Sequence, residues 1–128
     1  MSEGRRFPIR FDGFYRVVSL LSFLPPGDAY LTLDADTVAV RMAWGFRARF
    51  SRGAVAEAKR SAERPLSRGV HGWNGRWLVN GSADGLVELR LEPEQRARVI
   101  GVPVRLRRLL VSLEDPEGLL AALSAHPR

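Results

Sequence analysis

The residues best suited to chemistry are basic and aromatic, and they crowd one stretch of the chain. His71, Trp73, Arg76 and Trp77 lie close together, with Arg60, Arg64 and Arg68 just before them. Aromatic rings interleaved with cations can stack bases or hold anionic ligands. Further upstream, Arg47 and Arg49 alternate with Phe46, Ala48 and Phe50. That alternation puts both arginines on the wet face of a half-buried strand. Arg47, Arg49, Arg60, Arg64, Arg68, His71, Trp73 and Arg76 therefore form the candidate surface for an anion or a partner. The same residues also have a plainer role. One Trp can plug a core while the other covers a hairpin, and a run of cations is commonly a solvated face.

The charge is lopsided. Residues 41–76 hold nine basic side chains (Arg41, Arg47, Arg49, Arg52, Lys59, Arg60, Arg64, Arg68 and Arg76) against Glu57 and Glu63. That segment carries +7, residues 1–40 carry −1 and residues 77–128 are neutral, for a net +6. Such a segment can meet phosphate groups on nucleic acid or on anionic lipid. All basic residues but Lys59 are arginine. The high alanine and glycine content points to genome composition as the source of that bias, so it is not counted as functional evidence.

Catalytic groups are sparse. His71 and His126 are the only histidines and there is no cysteine, which excludes disulfides, thiolate nucleophiles and cysteine-based zinc sites. A metal would need one of these histidines plus carboxylates from elsewhere. The chain has no nucleophile elbow, dinucleotide-binding glycine pattern or P-loop. Glu92 and Glu94 flank a turn, and Glu114, Asp115 and Glu117 flank a helix start, where capping explains them. The expectation is a protein that is not an enzyme, with no cofactor and no metal.

The elements that must position these groups are mostly strands. Phe7, Ile9 and Phe11 alternate with Pro8 and Arg10, a strand pattern of period two. Residues 14–24 fit a helix face through Phe14, Val17, Val18 and Leu21, and their Val, Phe and Tyr content suits a strand; strand is the reading adopted. Strands follow over 29–34, 37–43 and 46–50, as a meander of hairpins. Trp44, at a turn, is a candidate for exposure. Ser51 can cap a helical turn through residues 54–60, and residues 62–69 read as a basic loop. Asn74-Gly75 accepts positive φ at both central positions of a type I′ turn, so Trp73 and Arg76 face each other across that hairpin. Residues 86–91 form another strand, 93–96 a connection, and 102–106 and 109–113 two further strands. The end is helical. Asp115 offers an N-cap oxygen, Pro116 suits the first turn, and Leu119, Leu120 and Leu123 make one apolar stripe. That stripe can close one end of a curved sheet.

Two regions carry a family resemblance. Gly85-Leu86-Val87-Glu88-Leu89, a basic connection, and then Leu110-Val111-Ser112-Leu113-Glu114-Asp115-Pro116-Glu117-Gly118-Leu119-Leu120-Ala121-Ala122-Leu123 resemble the end of bacterial pleckstrin-homology-like domains. There a last strand runs through a Ser into Asp-Pro-Glu and a short closing helix. Residues 30–50 resemble that family's early hairpins. The resemblance implies a partly open antiparallel barrel of about seven strands with a C-terminal capping helix. It also implies a binding or scaffolding role. Relatives that bind phosphoinositides use basic residues around the first strand loop. Residues 25–28 contain no Lys or Arg, so that activity is not carried over.

The length of 128 residues fits one such domain over 1–128. No apolar run approaches the ~20 residues that span a bilayer, and the N-terminus lacks a signal-peptide stretch. The chain reads as cytoplasmic. The expected function is a non-catalytic interaction module that binds a protein partner or an anionic membrane surface through segment 41–76. Nucleic-acid binding through the Arg face and Trp hairpin, or a small-molecule-binding barrel, are the alternatives.

Overall fold

The structure, a computed structural model, describes residues 5–10, 29–42, 45–63, 69–80, 82 and 84–124. Residues 14–24, Trp44, Arg64, Arg68 and His126 lie outside them. The described strands are β1 (Arg5–Pro8), β2 (Ala29–Leu33), β3 (Thr37–Met42), β4 (Phe46–Ser51), β5 (Val55–Arg60), β6 (Gly69–Trp73), β7 (Arg76–Asn80), β8 (Leu86–Val99) and β9 (Val102–Ser112). A helix, α1 (Pro116–Ser124), follows. The fold is mainly β, as the alternation requires.

The strands form one curled sheet in the order β1-β2-β3-β4-β8-β9-β7-β6, with β5 paired to β8 off that path. β8 serves two neighbours because it is long. Its first half pairs with β5 and its second half with β4. The pairs are antiparallel except β7–β9, which is parallel. The sheet curls until Ile9 bridges Leu113. There the Arg10 amide donates to the Ser112 carbonyl at 2.8 Å, and the Glu114 amide donates to the Pro8 carbonyl at 3.0 Å. Ser112 Oγ adds a bond to the Arg10 carbonyl at 2.9 Å. The barrel is thus drawn together at that corner and left open elsewhere.

Inward side chains fill the curl. Phe7, Leu31, Val38, Val40, Phe46, Leu89, Leu106 and Leu109 belong to one buried cluster. Each such side chain contributes roughly 1.5–3 kcal/mol on leaving water. Leu119 from α1 is fully buried in the same cluster, and Leu120 and Leu123 pack partly against it. Asp115 Oδ1 accepts from the Gly118 amide at 3.0 Å, the expected N-cap.

Three local expectations are corrected. Ser51 caps only a 3-10 turn, Arg52–Ala54, by accepting from the Gly53 amide at 3.2 Å. Residues 55–60 are strand, not helix, because the open edge of β8 offers a ladder that an isolated short helix cannot match. Residues 93–96 are not a connection. They continue β8 across a register shift between Arg90 and Gln95, in a stretch where the Glu92–Pro93 peptide is cis. Residues 102–106 and 109–113 are not two strands, since β9 runs unbroken over Val102–Ser112.

Candidate anion-binding face

β4 supplies the first two cations. Phe46, Ala48 and Phe50 point into the core, so Arg47 and Arg49 are exposed. Register then places other arginines beside them. Arg41 on β3 pairs with Arg47, and Arg47 pairs with Arg98 on β8. Tyr30 on β2 and Pro103 on β9 flank this row, opposite Arg41 and Arg98 respectively. The Arg-Ala-Arg triplets at 47–49 and 96–98 meet antiparallel, with Ala48 opposite Ala97. Both alanines are buried, so all four arginines lie on the outer face. Arg6 completes the group from β1, its guanidinium 3.9 Å above the Tyr30 ring.

These side chains line an open trough of about 700 Å³. Arg6, Arg41, Arg47, Arg49, Arg96 and Arg98 contribute six positive charges, and Asp34 is the one carboxylate among the described lining residues. The side chains of Arg47, Arg49 and Arg96 make no hydrogen bond or ion pair among the described residues. Arg98 Nη1 donates to the Gly101 carbonyl at 2.9 Å. Neighbouring strands stand about 4.8 Å apart. At that spacing, like charges directly across a ladder repel and destabilise the sheet. Anionic groups placed over the row would reverse that sign.

The remaining cations behave differently. Arg60 Nη1 donates to Glu117 at 2.7 Å, joining β5 to α1. Arg76 Nη2 reaches both oxygens of Glu63, at 2.6 and 2.7 Å. Arg90 pairs with Glu92 at 2.8 Å, and Arg108 with Glu88 at 3.2 Å. Arg52 is buried and donates to the carbonyls of Asp34 (2.9 Å) and Ala122 (2.5 Å). A second depression is lined by Arg76, Arg90, Arg107 and Arg108 with Glu92 and Glu94, so its charge is partly offset by carboxylates.

Segment 41–76 therefore does not form one surface. Arg47 and Arg49 lie on the trough, while Arg60 and Arg76 lie elsewhere with carboxylate partners. Arg64 and Arg68 are outside the described residues. His71 and Trp73 belong to β6, where His71 pairs with Leu78 and Trp73 with Arg76 across the Asn74-Gly75 turn. Trp77 is committed to structure. Its Nε1 donates to the Arg105 carbonyl at 3.0 Å, and its ring covers Gly72 and lies 6.5 Å from Phe46. Sequence reasoning missed Arg6, Arg41, Arg96 and Arg98 as members of the face. The repeated Arg-Ala-Arg triplet was the available signal for Arg96 and Arg98. Among the described residues, no three His, Cys, Asp or Glu side chains gather as a metal would require. No family model, curated protein or solved structure matches the chain.

Proposed function

We propose that this chain is a non-catalytic interaction module of the pleckstrin-homology-like kind, which docks on an anionic membrane surface through its arginine-lined sheet face. The carrying observation is the row Arg41–Arg47–Arg98, three like charges side by side across three strands. Such a row costs stability in the free protein. Arg47, Arg49 and Arg96 make no ion pair among the described residues, whereas Arg60, Arg76, Arg90 and Arg108 each have a carboxylate partner. Guanidinium groups suit phosphate oxygens because they donate two parallel bonds to them. The curled sheet with α1 packed against it fits the architecture that the resemblance implies. Base stacking is less well served, since Trp77 is engaged internally and Tyr30 already lies under Arg6.

Co-sedimentation with vesicles containing phosphatidylglycerol tests the reading. Binding is expected to weaken as salt rises through the range where the Debye length falls below about 10 Å. Arg47→Ser with Arg98→Ser should reduce affinity by roughly fivefold per arginine, at about 1 kcal/mol for each cation near the surface. Unchanged vesicle binding in that double variant refutes the reading. Binding to single-stranded DNA or to an acidic protein, without vesicle binding, replaces the partner.

A further inference from the structure

The β8–β9 hairpin ends in a feature that the fold does not need. Its turn residues, Ile100 and Gly101, have φ of +49° and +79°. Asn74 and Gly75 make nearly the same backbone at the β6–β7 hairpin, with φ of +51° and +86°. Asn tolerates the left-handed region, whereas a β-branched residue there is a true outlier. Ile100 is nevertheless held in place, its amide donating to the Gly45 carbonyl at 3.1 Å. Its side chain gains no burial in return. Ile100 is 65% exposed and Val102 60%, and they are the large hydrophobic residues exposed among those described. A Cβ added at Gly101 would meet no atom within 4 Å, so the turn has open space on that side.

The surroundings of the tip are cationic. Arg98 folds a guanidinium onto the Gly101 carbonyl, and Arg47 lies directly opposite Arg98. We infer that the Ile100–Val102 tip inserts into the interfacial layer of an anionic bilayer, while Arg47 and Arg98 at its base hold lipid phosphates. This inference rests on the membrane-docking reading above and adds an apolar anchor to it. Strain retained at an exposed apolar position is accounted for if the side chain leaves water on binding. A purely electrostatic contact has no use for it. Apolar insertion and electrostatic attraction add in interfacial binding, so part of the affinity should survive high salt.

The test uses the full chain and vesicles of phosphatidylglycerol with phosphatidylcholine. Ile100→Asn and Val102→Ser should each bind about tenfold more weakly, with the difference persisting at high salt. Ile100→Asn should melt at or above the wild-type temperature, because Asn suits the turn; this separates lost insertion from lost fold. The chain has no cysteine, so Ile100→Cys carries a single polarity-sensitive label. Its emission should shift to the blue on vesicle addition, and a label at Ser124→Cys should not shift. Wild-type affinity in both tip variants, with binding lost in Arg47→Ser/Arg98→Ser, overturns the inserted tip and leaves the arginine face standing. No vesicle binding by the wild type overturns both. A dimer that Ile100→Asn converts to monomer, with no vesicle binding, overturns it in favour of a second copy of this chain.

Discussion

Arg49 and Arg52 come from the same basic run and have opposite roles. Arg49 projects from β4 into the trough, while Arg52 is 9% exposed and ties the end of β2 to α1 through two carbonyls. Local charge counting treats them alike, because only the alternation of β4 and its end at Ser51 separate them. Arg52→Leu should therefore destabilise the fold by about 3 kcal/mol, since it leaves the Ala122 and Asp34 carbonyls without that charged donor. Arg49→Ser should change stability by less than about 0.5 kcal/mol. Urea denaturation of the two variants measures both, and equal losses would contradict the division. Gly72 poses a different residue-scale constraint. A Cβ there would lie 2.2 Å from the Trp77 ring, so Gly72→Ala should cost about 2 kcal/mol by displacing the indole.

At the scale of elements, the legible parts were those whose pattern is local. β2, β3 and β4 alternate cleanly because one face of each is buried. α1 is announced by Asp115, Pro116 and its leucines, and the structure keeps all three roles. β5 was misread because Ala, Glu and Lys favour helix locally, and only the distant edge of β8 overrides them. Pro93 suggested a break, yet it sits exposed in the irregular stretch of β8, where a missing amide costs little. The helix provides the element-scale prediction. Leu119 is fully buried whereas Leu123 is only partly so. Leu119→Ala should cost about 3 kcal/mol and Leu123→Ala about 1 kcal/mol, by the usual scaling with cavity size. Asp115→Ala should remove about 1 kcal/mol of capping. Similar small losses at both leucines, read from urea midpoints, would mean that the helix does not close the sheet.

Across the whole molecule, register decides where charge accumulates. Residues 77–128 are neutral in sequence, but their acids and bases separate in space. Glu88, Glu92 and Glu94 pair with Arg108, Arg90, Arg105 and Arg107, which leaves Arg96 and Arg98 to join β4 on the trough. The β4–β8 pairing spans some fifty residues of chain, and no local sum reveals it. Most of the face was thus hidden: Arg47 and Arg49 were legible from alternation, and Arg6, Arg41, Arg96 and Arg98 were not. The same accumulation makes a prediction about the free protein. Arg47 faces a like charge on both sides, Arg41 and Arg98. Each opposed pair costs roughly 0.2–1 kcal/mol. Arg47→Ser should therefore raise the melting temperature by about 3 °C at low ionic strength, taking ~1 kcal/mol as worth several degrees in a domain of this size. Added salt screens the repulsion, so the wild type should gain stability with salt and the gap to the variant should close. Sulfate should close it sooner than chloride, because a divalent anion seated in the trough stabilises the folded state by mass action as well. Thermal melts of both proteins across the two salts read this directly. A variant that melts below wild type at every ionic strength would show that the three arginines do not repel as their register requires.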